Sequence, residues 1–341
     1  MNALVLEKPG RYFFTRDWEK PAAKPGWAVV KVAFCGVCGS DIPRFASTGN
    51  YFLPCVLGHE FAGVVEEVLP PEPGAPGFGI AAGDRVAILP IIPCRSCAGC
   101  ATGEPFNCER YQFIGSRNNG GFAEYCLVPE KNLFKLPDEV SLREASLIEP
   151  LLVALHCVRR SGFVPGKTAI VYGAGPIGLL VAAWLRIFGA SSVTMADVRA
   201  FSVSLAQACG FDALDTRTEV PRGPFDYAFD AAGSAKALES AILALRHAGV
   251  LTVVGRDVND TIIPVKAFEI LMRKQLTAGG CWGYNDAGEH NFLYGCLAKG
   301  LFPLEALITH VFPLAEGPDV IRKIINREMA YGKVLLECSK L

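Results

Sequence analysis

The stretch that most restricts the fold is "TAIVYGAGPIGLLVAAWLRIF", residues 168–188. It opens on a short apolar run, passes through three glycines and continues as a periodic segment. Ile177, Leu180, Val181, Trp184, Leu185 and Phe188 recur at spacings of three and four, which is one face of an α-helix. A buried strand that turns through glycines into a helix needs further strands beside it. "SVTMAD" (192–197), "FDYAFDAAG" (225–233), "GVLTVVG" (249–255) and "LTAGGCW" (276–282) supply them. A helix through about Cys209 and another over "AKALESAILALRHAG" (235–249) lie between. This alternation predicts an α/β fold built on a doubly wound parallel sheet.

The glycines themselves read G-x-G-x-x-G, at Gly173, Gly175 and Gly178, with Pro176 and Ile177 between the last two. Gly173 allows the tight turn, Gly175 lets a pyrophosphate approach the backbone, and Gly178 lets helix and strand pack closely. The phosphates would sit on the positive end of the helix. Asp197 ends the next strand, where a carboxylate accepts from ribose hydroxyls and repels a 2′-phosphate. NAD is therefore expected rather than NADP, a preference that Arg199, two residues on, weakens slightly.

The first 150 residues have another texture. "WAVVKVAFCGV" and "FAGVVEEVL" read as strands among Gly- and Pro-rich turns, and "LPPEPGAPGFGIAAGD" (69–84) as an inserted surface loop. After residue 282 the sequence predicts a helix over about 315–327 and a closing strand, "GKVLLEC". Two metal constellations stand out. Cys94, Cys97, Cys100 and Cys108 in "CRSCAGCATGEPFNC" have the spacing of a closed tetrahedral Zn²⁺ site, a structural role, with an iron–sulfur cluster as the rival. The second set is scattered and needs the fold to assemble it: Cys38, Ser40 and Asp41 in "CGVCGSD", His59 and Glu60 in "LGHEFAG", and Glu149 in "IEPLLVALH". A thiolate, an imidazole and a carboxylate suit a zinc with one open position. Ser40 can relay a proton and Asp41 can orient His59.

Composition removes several classes of function. The 33 basic and 34 acidic residues nearly cancel, so no nucleic-acid partner is expected. No apolar run is long enough to span a membrane, and "MNALVLEKPG" lacks the pattern of a secretory leader, so a cytoplasmic protein is expected. Thirteen cysteines in a reducing compartment read as thiols or metal ligands.

Read together, "CGVCGSD", "LGHEFAGVV", "GDRVAI", the four-cysteine lobe, "GGFAEY", "YGAGPIG" and "GKVLL" resemble the zinc-containing medium-chain dehydrogenase/reductase family. The likeness runs through almost the whole chain in the family's order. It implies a GroES-like β-rich catalytic domain from residues 1–151 and 285–341, and a Rossmann domain from 152–284 between them. The active site would lie in the cleft. It also implies two zinc ions per chain, NAD, and a homodimer or homotetramer. Glu149 stands where ordinary alcohol dehydrogenases have a cysteine, which is the polyol dehydrogenase pattern. In that branch Cys38, His59 and Glu149 are zinc ligands and Glu60 an alternate one. "CGSDIPRF", "FIGSRNNGGFAEY" and "IEPLLVALH" look most like the galactitol-1-phosphate 5-dehydrogenase group. The implied substrate is a polyol or polyol phosphate oxidised at a secondary alcohol. Sorbitol or another polyol, a cyclitol, or a threonine-type substrate are the alternatives. Tyr51, Phe52 and Trp282 are candidates for the pocket wall, and Arg117 for a substrate phosphate. A zinc-independent reductase of the same fold and a non-catalytic scaffold are the competing readings.

Overall fold

In the computed structural model, which describes residues 1–71, 79–221, 223–256, 260–285 and 288–340, the alternating segment forms a six-stranded sheet. Its strands are Thr168–Tyr172, Ser192–Asp197, Asp212–Asp215, Phe225–Asp230, Leu245–Val253 and Thr277–Gly280. All neighbours pair in parallel, and numbered along the chain the order across the sheet is 3-2-1-4-5-6. That is the doubly wound order, whose reversal of direction beside the first strand opens a crevice at the strands' carboxyl ends. Ile170, Ala228, Ala241, Ile242, Leu245 and Leu251 form its buried core.

One expected element differs. The helix that the sequence predicts over 235–249 ends at Ala244, and Leu245 begins the fifth strand. Leu245 is fully buried and pairs with Phe225. Continuing the helix would withdraw that side chain from the sheet, and Ala248, at φ +55°, turns the backbone out of helical geometry.

The other half is β-rich. Strands Leu133–Lys135, Arg85–Ile88, Glu60–Val68, Trp27–Gly36, Lys333–Glu337 and Ile308–Pro313 follow one another across a sheet, and Tyr125–Pro129 also pairs with Trp27–Gly36. Alternation in "WAVVKVAFCG" sends Val30 and Val32 into the core with Leu4, Leu6, Val65, Val86 and Leu336. Lys333–Glu337 runs antiparallel to Trp27–Gly36, so the end of the chain completes a sheet begun by its start. Of the loop over 69–84, residues 72–78 lie outside the described residues.

The chain divides into one unit of Met1–Glu149, Ala287–Ala298 and Ile308–Leu341, and another of Pro150–Asp286 and Lys299–Leu307. Residues 299–307 belong to the second unit, whereas the sequence reading assigns everything after 284 to the first. The reason is aromatic packing: Phe302 meets the Trp184 ring edge-on, centroids 4.8 Å apart, and both are buried. No helix among the described residues is long and apolar enough to cross a membrane.

Gly178 shows how tightly the first strand and its helix are joined. A Cβ there would lie 1.8 Å from the carbonyl oxygen of Gly173. Gly178→Ala is therefore expected to destabilise the protein by about 1–3 kcal/mol, the usual scale of overpacking. A melting temperature equal to that of the unsubstituted protein would show that the turn is not under this constraint.

Candidate active site

Register sets the first cluster. Gly36 lies opposite Glu60 where Trp27–Gly36 pairs with Glu60–Val68, and Leu335 lies opposite Gly36 on the other side. A Cβ on Gly36 would meet Glu60 Oε2 at 2.3 Å, so only glycine leaves room for the carboxylate. Both oxygens of Glu60 accept from Lys333 Nζ, at 2.9 and 2.6 Å. Lys333 also donates to the carbonyl of Val37 at 3.3 Å, and both partners of the ion pair are almost fully buried. Burial alone would lower the Lys333 ammonium, but Glu60, Cys38 and Glu149 together hold it above its ordinary value.

Donor atoms of Cys38, His59 and Glu60 lie within 4.8 Å of one another. Ser40 supports the thiol, its Oγ 3.2 Å and its N–H 3.4 Å from Cys38 Sγ. Asp41 is buried at the start of a short helical turn, Asp41–Pro43. Its Oδ2 accepts from the Cys38 N–H at 3.1 Å, and its Oδ1 stands 3.5 Å from His59 Nδ1. A carboxylate behind an imidazole fixes which ring nitrogen faces a ligand. Burial would lower the His59 pKa, yet Asp41 and Cys38 together hold it well above the usual value. Glu149, first-turn residue of helix Ile148–Arg160, is buried, and desolvation pushes its carboxyl up to about 7. It is outside the set that converges within 4.8 Å, but His59, Glu60, Lys333 and Asp41 all act on its charge. Four acidic groups thus face two basic ones in a buried space, and such a set is stabilised by a further cation. The donor set fits zinc.

Cys94, Cys97, Cys100 and Cys108 also converge within 4.8 Å. They sit on a lobe between the paired strands Ile91–Ile92 and Gln112–Phe113, with the short helix Ala98–Ala101 inside it. The Cys94 N–H donates to Cys108 Sγ at 3.2 Å, and Cys97 and Cys100 lie 3.6 Å apart. Donation from Ser96 pulls Cys94 down to about 5, while desolvation and its neighbours push Cys100 up to about 11. Four sulfurs with no open position fit a closed tetrahedral ion.

The glycine turn occupies the second unit. Gly173 has φ +98°, and a Cβ there would meet the backbone of Ala232 at 2.6 Å. At Gly175 the protein imposes no such limit: a Cβ would meet only Arg199 Nη2, at 3.9 Å. The space left open there is where a ligand's phosphates would approach. Gly175 caps the helix Pro176–Ile187 without a side chain, and Pro176 begins it, so first-turn N–H groups remain for an anion. Asp197 accepts from the Ala174 N–H at 2.8 Å and from the Arg199 N–H at 2.8 Å. The turn and the acid therefore form one structure, and they fit a dinucleotide.

Of the expected pocket residues, Tyr51 and Arg117 come together, with the Arg117 Cζ 4.7 Å from the Tyr51 ring centroid. Phe52 follows Tyr51 in the same exposed segment. Trp282 is in the second unit, 62% exposed. Lys333 is the site residue that sequence reasoning missed. It was visible only as the lysine of "GKVLL", and nothing in its spacing marks a buried charge.

Comparison with known proteins decides the family. Residues 24–138 match the alcohol dehydrogenase GroES-like domain, and residues 176–294 match the zinc-binding dehydrogenase model. Galactitol 1-phosphate 5-dehydrogenase of Escherichia coli K12 is 33% identical over 321 residues, covering 90% of this chain and 91% of that one. The chain belongs to the zinc-binding alcohol and polyol dehydrogenase family. D-xylulose reductase A of Aspergillus oryzae is 31% identical, over 87% of this chain and 86% of its own. The crystal structure of galactitol-1-phosphate dehydrogenase from Escherichia coli superposes with a TM-score of 0.91 at 30% identity, covering 99% of this chain and 100% of that one. A protein described as a zinc-binding dehydrogenase, from Sinorhizobium meliloti 1021 and bound to NADP, gives 0.89 at 29% identity, covering 98% of each chain. The protein is thus an oxidoreductase of the polyol dehydrogenase type.

Two outcomes follow from the buried charges. Lys333→Met leaves Glu60 uncompensated and is expected to cost about 3–5 kcal/mol in denaturant unfolding, most of it recovered in Lys333→Met with Glu60→Leu. A single variant as stable as the parent would show the pair to be dispensable. In metal-stripped protein, Glu149 favours the protonated form on folding. Its contribution is present below about pH 4.5 and is lost as pH rises through about 7. Melting temperature should fall across that window, and Glu149→Gln should flatten the fall. An unchanged pH profile in Glu149→Gln would contradict the assignment.

Proposed function

We propose that the protein oxidises a secondary alcohol of a polyol or polyol phosphate to the corresponding ketose or ketose phosphate, with NAD as hydride acceptor. The observation that carries this reading is the convergence of Cys38 and His59 with buried carboxylates, backed by Asp41 and Ser40. Cys38, His59 and Glu149 hold the catalytic zinc. Glu60 is the alternate ligand, because its charge is already balanced by Lys333 whereas burial leaves Glu149 in need of a cation. Zinc supplies Lewis acidity that lowers the pKa of a substrate hydroxyl, and NAD supplies the acceptor for the hydride.

The chain's own groups do the rest. Ser40 is exposed and touches Cys38 Sγ, so its hydroxyl can pass the substrate proton out of the site. Asp41 keeps His59 aimed. Asp197 receives ribose hydroxyls, and Arg199 beside it is the group that would tolerate a 2′-phosphate. Cys94, Cys97, Cys100 and Cys108 hold the second, structural zinc. A cytoplasmic location is supported by thirteen cysteines with no disulfide between them. Self-association as a homodimer or homotetramer is supported by the sixth strand of the parallel sheet. It is exposed, no strand among the described residues pairs with its outer side, and it follows a helix that exposes Val265, Phe268 and Met272.

A panel of polyols and polyol phosphates, with NAD⁺ and NADP⁺ and reduced cofactor followed, tests the reading. Secondary polyols with NAD⁺ should be oxidised. Cys38→Ala should lose turnover while cofactor binding survives, and Asp41→Asn should lose about 10- to 100-fold in metal affinity or activity. Near-parental turnover in Cys38→Ala would defeat the catalytic-zinc assignment.

A further inference from the structure

Arg117 is held in a way that the fold does not need. Its guanidinium lies over two tyrosine rings, with Cζ 4.7 Å from the Tyr51 centroid and 4.3 Å from that of Tyr111. One terminal nitrogen, Nη1, donates to the Tyr111 carbonyl at 2.7 Å. Nε is buried and has no hydrogen-bond partner, and Nη2 has none among the described residues. A guanidinium used only to fix a loop would spend this edge on carbonyls or a carboxylate, because a buried unpaired donor is costly.

A second arginine shares the same ring. Arg44 Cζ is 5.7 Å from the Tyr51 centroid, and its Nη1 donates to Asn50 Oδ1. Asn50 is fixed in turn by donating to Cys55 Sγ at 3.2 Å. No carboxylate pairs with Arg44 or Arg117 among the described residues. Two like charges are thus gathered at one 66%-exposed tyrosine without a counter-ion.

Both arginines are tied to the metal-ligating cluster. Arg44 follows the helical turn Asp41–Pro43, whose first residue stands behind His59. On the other side His59 meets Phe113 edge-on at 5.4 Å, and Phe113 meets Tyr111 at 6.3 Å. Phe113 thus links the imidazole to the Tyr111 ring that holds Arg117.

We infer that Arg117 and Arg44, presented by Tyr51 and Tyr111, form a phosphomonoester subsite for the end of the polyol remote from the hydroxyl that is oxidised. This rests on the polyol reading of the same site. Nη2 of Arg117 and the Arg44 guanidinium are the donors that phosphate oxygens would meet. A phosphate dianion balances both guanidinium charges. A carboxylate would pair with one guanidinium and leave the other charge uncompensated, so a sugar phosphate is favoured over a sugar acid.

The first test needs no turnover. Inorganic phosphate is titrated by calorimetry into the zinc-loaded protein, with acetate as competitor. The variants are Arg44→Ala, Arg117→Ala and Arg117→Lys, with the exposed Arg16→Ala as control. Phosphate should bind the parent and Arg16→Ala alike, weaken at least about tenfold in each of the other three, and resist acetate. Arg117→Lys keeps the charge and loses the planar guanidinium that the two rings hold, and melting curves identify any variant that misfolds. Unchanged phosphate binding in Arg117→Lys and Arg44→Ala, or equal competition by acetate, would overturn the subsite. In kinetics, the parent's kcat/KM for galactitol 1-phosphate over galactitol should exceed one and fall at least about tenfold in Arg117→Lys. If the parent oxidises both polyols equally, the subsite is wrong and the polyol reading stands. If it oxidises neither, the polyol reading fails, and the calorimetry still decides whether the anion site exists.

Discussion

A lysine and a glutamate, both nearly sealed from water, tie the end of the chain to its beginning. Lys333 and Glu60 lie on strands that flank Trp27–Gly36, and their contact requires those strands in one register. A slip of one residue would turn every side chain of a strand to the other face and leave two unpaired buried charges. The pair thus specifies how the last strand joins the first sheet. It also sets the charge among the candidate metal ligands, because Glu60 is paired directly with lysine while Glu149 has no such ion pair among the described residues. Structural and chemical roles meet in the same carboxylate.

The remaining site geometry depends on that frame. Cys38 lies two residues beyond Trp27–Gly36, His59 directly precedes Glu60–Val68, and Asp41 opens the turn after Cys38. Adjacent antiparallel strands bring these loops side by side, so Cys38 and Asp41 become neighbours of His59. The same loops carry Arg44 and Tyr51, which is why the proposed phosphate subsite adjoins the candidate metal ligands. In the parallel sheet the logic is local instead. The glycine turn follows from strand, turn and helix in immediate succession, and the contacts that demand Gly178 lie within six residues.

Legibility in the sequence follows this difference. The glycine motif and the four-cysteine lobe are legible because their residues are close in the chain, so spacing alone brings them together. The strands were read well where alternation or apolar runs mark them. The sequence pattern extends the helix over 235–249, and the demand of the sheet for Leu245 overrides it, so the helix ends at Ala244. Phe302 draws residues 299–307 onto Trp184, a contact between distant segments that no local pattern signals. Arg117 was visible as a lone cation, but Arg44 was not, since a helical arginine beside a proline has no distinguishing pattern.

By itself the sequence determined the alternating α/β segment, the glycine turn, the thiol cluster and the residue types of a second candidate metal site. These depend on short-range spacing, which backbone geometry converts directly into position. Only the tertiary structure decided which carboxylate is neutralised, that Lys333 is buried, and that two arginines share one tyrosine. Each of these is a balance of charge and desolvation among segments far apart in the chain, and it exists only once the sheet brings them together.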